Sequence, residues 1–267
     1  MKDDHLFKIS EGVFNYGKNI FFDNLSFTLG QGQFYGLIGP NGSGKSTLID
    51  LLMGTRSLLS GMIEYKTQPL QSYKRKELAR HLALVPQHIA IGFDFTVYDI
   101  VMMGRHPHIP RFSSPSEHDL SMVHSVLRLL DIEHLRERPV THLSGGEKQR
   151  VIVARALAQE TTTIMLDEAT SNLDIEHTIE IMRVLRKKVN ESGTTVIAAV
   201  HDLNLAAAFC DELIVLKNGT VHEKGPVKTV LTADLLRRVF SVNGTVFKNQ
   251  QYPRIEYEMR SPSAASL

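Results

Sequence analysis

The chain has 267 residues, 42% of them apolar, with 30 lysines and arginines against 29 acidic residues and a formal net charge of +1. That length and composition allow a large α/β domain with a sizeable core, and the near-neutral balance excludes the basic footprint of a nucleic-acid binder. A single cysteine, Cys210, excludes an internal disulfide framework and, in its Ala-rich segment, reads as a small buried core residue.

The first residues, Met1-Lys2-Asp3-Asp4-His5, are polar with no apolar signal core behind them, and no run approaches the ~20 apolar residues a bilayer span requires. The expectation is a cytoplasmic protein that meets a membrane only through partners. Residues 6–29 alternate and are rich in Phe, Val and Ile, with breaks at 15–19 and at Asp23-Asn24, which predicts an antiparallel β layer. Tyr16 lies in the turn Phe14-Asn15-Tyr16-Gly17-Lys18. There it either covers the edge of the core or stacks on a nucleotide base, a contact of about 1 to 3 kcal/mol.

Residues 34–38 read as a short buried strand, and a leucine-rich helix is predicted from Thr47 to Gly54. Between them, Gly39-Pro40-Asn41-Gly42-Ser43-Gly44-Lys45-Ser46 is a full match to G-x-x-x-x-G-K-[ST]. Glycines there let successive backbone N–H groups turn onto a phosphate, and the positive end of the following helix points at the same place. Lys45 then reaches the β- and γ-phosphates and Ser46 ligands Mg²⁺.

Ser60 to Tyr65 is a predicted strand and Tyr73 to Arg80 a polar helical turn. Leu82 to Val85 is a strand stopped by Pro86, which puts Gln87 at a strand end, where open α/β sheets bind ligands. From Thr96 the pattern turns helical and leads to Gly104-Arg105-His106-Pro107-His108-Ile109-Pro110-Arg111. No Cys, Asp or Glu accompanies these histidines to close a metal site, so the loop reads as a surface contact. At Ser114-Pro115-Ser116-Glu117 a helix is expected to start with Ser114 as N-cap and Glu117 closing a capping box. Leu120, Val123, Leu127 and Leu130 would line its buried face.

Leu143-Ser144-Gly145-Gly146-Glu147-Lys148-Gln149-Arg150 opens another helix, with Ser144 and Glu147 again forming a capping box. Glycines in a first turn cost about 1 kcal/mol each relative to alanine, but they leave N–H groups bare at the positive helix end, an arrangement that binds anions. Thr161 to Leu166 is a buried strand ending in Asp167-Glu168. Asp167 suits Mg²⁺ and Glu168 suits a general base acting on water, the two side chains diverging as neighbours on a strand do. Ser171-Asn172-Leu173-Asp174 is a loop into a helix over Ile175 to Val189. The strand Thr194 to Val200 ends at His201-Asp202, so His201 emerges on the same edge as Asp167 and Gln87, in a position that is either structural or catalytic. Asn218-Gly219 turns a hairpin between 213–216 and 220–223. Thr232 to Phe240 is a short helix, Gly244 to Phe247 a strand, and Ser261 to Leu267 a frayed tail.

With these motifs in this order, the chain resembles the ATP-binding subunit of ATP-binding cassette (ABC) transporters over nearly its whole length. The resemblance implies an α/β fold: a P-loop NTPase core with a mostly parallel sheet, an N-terminal antiparallel β layer and an inserted α-helical subdomain at about 93–160. It also implies an ABC ATPase domain over 1–255 and a C-terminal tail over 256–267. In the family's terms the Walker A loop is Gly39 to Ser46, followed by Thr47, and the Q-loop glutamine is Gln87. The signature is Leu143 to Glu147, the Walker B aspartate Asp167, the catalytic glutamate Glu168, the D-loop aspartate Asp174 and the switch histidine His201. Tyr16 becomes the adenine-stacking aromatic. The implied ligands are ATP and Mg²⁺, the metal held by Ser46, Gln87 and Asp167, with Lys45, Glu168 and His201 as the catalytic groups. One departure is Ala169, where the family commonly has proline; it changes no charge.

Gly104 to His108 and His201 to Ala207 look like the subgroup that powers import of iron–siderophore, haem or cobalamin complexes. The implied partners are a second copy of the chain, transmembrane permease subunits and, indirectly, an extracytoplasmic substrate-binding protein, which places the subunit on the inner face of the membrane. A soluble ABC ATPase without a transport role is the alternative, but it would favour paired cassettes, a coiled-coil insertion or a basic surface. A small-molecule kinase would have no use for Leu143 to Glu147, and a non-catalytic module should lack Glu168 or His201.

Overall fold

Strand order follows from burial. In chain order, β1 (Phe7–Tyr16), β2 (Asn19–Leu29), β3 (Phe34–Ile38), α1 (Lys45–Leu52), β4 (Ser60–Tyr65), β5 (Gln68–Pro69), α2 (Arg75–Leu78) and β6 (Leu82–Val85) form the first part of the chain. There follow α3 (Val97–Met102), α4 (Glu117–Leu129), α5 (Gly145–Ala158), β7 (Thr163–Leu166), α6 (Ile175–Ser192), β8 (Thr195–Ala199) and α7 (Leu203–Phe209). The chain closes with β9 (Glu212–Lys217), β10 (Thr220–Pro226), α8 (Val227–Val230), α9 (Ala233–Phe240), β11 (Gly244–Phe247) and β12 (Arg254–Tyr257). This is a computed structural model, and it describes residues 5–87, 92–169, 173–248 and 251–258.

The central sheet has the order β10-β9-β3-β8-β7-β6, parallel throughout except for the β10 edge. Its inner strands are near-continuous apolar runs because both faces are covered. Period-two alternation then sends Phe34, Ile164, Val196 and Leu213 to one core and Tyr35, Met165, Ile197 and Ile214 to the other. The first core packs against the helices α3 to α6. The second packs against α1 and the antiparallel sheet β2-β1-β4-β5, the expected N-terminal β layer.

Several local expectations are corrected. Asp23-Asn24 does not break the chain into separate strands: Asn24 takes φ 54° and the β1–β2 pairing shifts register while β2 continues. The helix after the phosphate loop starts at Lys45, inside the motif. α4 starts two residues later than expected, with Ser116 as N-cap and Asp119 closing the capping box. Val123, Leu127 and Leu130 line the buried face as expected, whereas in the first turn Leu120 is exposed and Asp119 is buried. Ser261 to Leu267 lie outside the described residues. The hairpin at Asn218-Gly219 and the buried Cys210 are as expected.

The loop from 104 to 111 is anchored from inside. Arg105 is 2% exposed; its Nε donates to Asp119 Oδ1 at 2.8 Å and its Nη1 to the Ala158 carbonyl at 2.7 Å and to Glu160 Oε2 at 3.1 Å. Burial acts to raise the Asp119 carboxyl, but hydrogen bonds from Ser116 and the Arg105 guanidinium outweigh it and hold the group down to about 2. With its folded value depressed, the ionised carboxylate stabilises the fold above the ordinary range near 4, a contribution lost as pH falls through about 2. Asp119→Asn, which mimics the protonated acid, is expected to cost about 3 kcal/mol at neutral pH. Denaturant unfolding should show that gap closing as pH falls below about 4, and a pH-independent gap would refute the ion-pair account.

Candidate active site

The register of the parallel strands brings the chemistry to one edge. Val85 lies opposite Leu166, Leu166 opposite Ala198 and Ala199 opposite Leu37. Gln87, Asp167-Glu168, His201 and Gly39 therefore all follow strand ends at the same C-terminal edge.

The phosphate loop is shaped for an anion. Gly39 has φ 154°, and a Cβ there would sit 2.2 Å from the Leu216 carbonyl oxygen, so no side chain fits. The α1 N-terminus has Gly44 at its cap with no side-chain hydrogen bond, which leaves first-turn N–H groups facing outward. Ser43 Oγ is buried without a partner, and Lys45, 4% exposed, donates to the Gly39 and Pro40 carbonyls at 3.1 and 3.4 Å. An orphaned hydroxyl and a buried ammonium curled over bare amides fit a polyphosphate.

Three groups converge on one carboxylate. Glu168 Oε1 lies 2.8 Å from His201 Nε2 and 3.5 Å from Lys45 Nζ, while Glu168 Oε2 accepts from Gln87 Nε2 at 2.8 Å. Burial acts to raise this carboxyl; the hydrogen bond and charge of His201, with Lys45, outweigh it and hold the group below the usual range. Asp167 is shifted the other way. Burial raises it and the neighbouring Glu168 adds to that, only partly offset by Ser46 Oγ, which donates to Asp167 Oδ1 at 2.7 Å. A buried carboxylate that wants positive charge, beside a hydroxyl, is a donor set that fits Mg²⁺. The Gln87 amide nitrogen is committed to Glu168, which leaves its carbonyl oxygen as the atom for a cation.

The divergence of Asp167 and Glu168 has a different cause from strand alternation. β7 ends at Leu166, and Glu168 takes φ 50°, a left-handed conformation uncommon for such a residue. That reversal turns its carboxylate toward Lys45 and Gln87. Ala169 is buried behind it, whereas Ser171 and Asn172 lie outside the described residues.

Tyr16 ends β1 at 44% exposure, and its hydroxyl is 2.8 Å from Thr47 Oγ1, so the aromatic is tied to the phosphate-loop helix. The remaining two stretches stand apart from this cluster. Ser144 caps α5, with its backbone N–H and hydroxyl both 2.7 Å from Glu147 Oε2. Ser144 and Gly145 are exposed, and among the described residues no hydrogen bond joins them to the phosphate loop. Asp174 caps α6, accepting from the His177 N–H at 3.0 Å with His177 Nδ1 at 2.6 Å. A cavity of about 440 Å³ opens beside Glu168 and His201, lined also by Leu173, Ile175 and Leu205. Among the described residues no group of three or more His, Cys, Asp or Glu could hold a metal, and no helix is long and apolar enough to cross a membrane.

Known proteins share this chain's sequence pattern and fold. The ABC transporter family model matches residues 22–171. A cobalamin import ATP-binding protein of Halobacterium salinarum is 38% identical over 224 residues, 84% of this chain and 56% of that protein, so the chain spans about half of that relative. The ferric enterobactin transport ATP-binding protein of Escherichia coli is 37% identical over 227 residues, 85% of this chain and 84% of that one. Among solved structures, a metal-chelate type ABC transporter in an inward-facing conformation matches with a TM-score of 0.82 at 30% identity, covering 96% of this chain and 98% of that one. Fold, phosphate loop and relatives agree: the chain belongs to the ABC transporter family and carries its ATP-binding cassette.

Proposed function

We propose that this chain is the ATP-hydrolysing subunit of a membrane importer for an iron–siderophore, haem, cobalamin or related metal chelate. The observation that carries the reading is the convergence of His201, Lys45 and Gln87 on Glu168 beside a phosphate loop with an unpartnered buried hydroxyl. The relatives' names supply the cargo class.

In this reading Gly39 to Thr47 bind the triphosphate, Tyr16 stacks on the adenine, and Ser46, Asp167 and Gln87 hold Mg²⁺. The metal supplies neutralisation of phosphate charge. Glu168 takes the proton of, or orients, the attacking water; His201 keeps Glu168 and the γ-phosphate in register; Lys45 leaves Glu168 for the phosphate oxygens. Ser144 to Glu147 present bare N–H groups at an exposed helix end with no anion of their own chain to meet, which suits the γ-phosphate held by a second copy. Two copies arranged head to tail then complete two sites, with Asp174 near the shared boundary. ATP closes the pair because its γ-phosphate, held by one copy's phosphate loop in either state, gains the second copy's helix end only in the closed one.

Gln87 and the 104–111 loop relay closure to a permease. A groove of about 440 Å³ lined by Met53, Leu78, Leu84, His106, Pro107 and Arg155 runs beside that loop and suits a permease helix. A substrate-binding protein on the far side of the membrane delivers cargo to that permease. The subunit is then peripheral on the cytoplasmic face, with residues 1–255 as the ATPase domain and 93–160 as its helical arm. Affinity purification of the tagged chain from detergent-solubilised membranes tests this. Recovery with a permease, with mass spectrometry identifying a bound metal chelate, is the expected result; recovery only from the soluble fraction would favour a non-transport ABC ATPase.

A further inference from the structure

Arg56 belongs to no motif, yet it is held by several contacts close to the phosphate-loop helix. α1 ends at Leu52, and Gly54, with φ 69°, turns the chain back on the helix. The Asp50 carbonyl accepts from the Thr55 N–H at 3.0 Å, the Arg56 N–H at 3.3 Å and Thr55 Oγ1 at 2.9 Å. The Asp50 carboxylate accepts from Arg56 Nε at 2.8 Å and from Thr55 Oγ1 at 3.1 Å. So held, the guanidinium carbon lies 5.1 Å from the centroid of the Tyr16 ring and 5.9 Å from that of Phe14.

Tyr16 is thus fixed on several sides. Phe14 meets it edge to face at 5.0 Å and 88°, Phe21 at 5.6 Å and 76°, and Thr47 Oγ1 lies 2.8 Å from its hydroxyl. Thr47 and Asp50 are three residues apart on α1 and so share one helix face. One short helix therefore grips the ring at its hydroxyl directly and across its face through Arg56. The aromatic cluster also abuts the phosphate loop itself, since a Cβ on Gly44 would meet Phe22 at 2.7 Å and Phe21 at 2.8 Å.

We propose that Arg56 is a positioning residue for the base: a cationic backing on Tyr16, anchored by Asp50, that fixes the ring at a set offset from the phosphate loop. A guanidinium over an aromatic face is attracted by the ring quadrupole, and a ring held rigid loses less freedom when a base stacks on it. The site then distinguishes a base-bearing triphosphate from bare polyphosphate through α1. This rests on Tyr16 being the base-stacking residue, as proposed above.

Titration of the full-length chain with MgATP and, separately, with magnesium tripolyphosphate, which has no base, tests the assignment. Arg56→Ala is expected to weaken MgATP binding about two- to fivefold. Tripolyphosphate binding should be unchanged, a result that also reports an intact phosphate loop. Asp50→Asn should produce the same selective loss, and Arg56→Lys should recover part of it. Equal weakening of both ligands would overturn the proposal by making Arg56 a support of the phosphate loop. Unchanged or tighter MgATP binding would overturn it too, the latter showing that the guanidinium competes with the base. Tyr16→Ala separates the two levels: selective loss there with none in Arg56→Ala refutes only the positioning role, whereas no loss in Tyr16→Ala refutes the stacking reading beneath it.

Discussion

Glu168→Gln is expected to bind MgATP and stop turning over, with hydrolysis falling about 10²- to 10⁴-fold, the range a general base contributes. The substitution keeps the shape of the side chain: its one carbonyl oxygen can still accept from Gln87 Nε2, and its NH2 then faces His201 Nε2, which accepts as the neutral tautomer, so the local scaffold should survive. It removes the charge that draws Lys45 to 3.5 Å, which frees that cation for phosphate oxygens. Nucleotide affinity should therefore hold or rise while the proton acceptor is gone. If the γ-phosphate joins two copies, the variant accumulates as an ATP-dependent dimer, visible by light scattering with and without MgATP. A phosphate-release assay at the wild-type rate would remove Glu168 as the base.

Lys45→Ala is the second large effect. The ammonium is buried against the Gly39 and Pro40 carbonyls, and a charge-assisted hydrogen bond to a phosphate contributes about 1.5 to 3 kcal/mol. Its loss should weaken MgATP binding about 10- to 150-fold. Lys45→Arg should not restore binding, because a wide planar fork does not fit where a compact ammonium is wedged between two carbonyls. Equilibrium titration with a fluorescent ATP analogue measures both variants. Wild-type affinity in Lys45→Ala would take the residue out of the site.

The two variants separate groups that the structure pairs. Lys45 and Glu168 form an ion pair in which each occupies the other's working partner. In the proposed reading a triphosphate would exchange that contact, and the carboxylate would become available to water as the ammonium moves to phosphate. His201 and Gln87, both bound to Glu168, would keep it in place through that exchange.

Much of the site was legible because its signals are local. A phosphate loop is a run of glycines followed by Lys45-Ser46, and buried parallel strands are short apolar runs, so Gln87, Asp167, Glu168 and His201 were placed at strand ends by counting along the chain. The start of α4 was less legible than its buried face: Ser114 and Ser116 both offer a cap, and the buried Arg105–Asp119 pair, 14 residues apart in sequence, goes with the later start. Within the surface loop 104–111 the burial of Arg105 was not legible, because nothing in the loop's own residues reveals Asp119 and Glu160 on other segments.

From residues within a few positions of one another the sequence yields the phosphate loop and the strand ends at Gln87, Asp167 and His201, and the order of its motifs carries the family resemblance that implies the fold class. Only the tertiary structure decided that Glu168 reaches Lys45, Gln87 and His201 by a left-handed backbone turn, and that Tyr16 is backed by Arg56. Each of these contacts joins residues far apart in the chain. Their partners are chosen by strand register, burial and the desolvation of charge, none of which is written in local spacing.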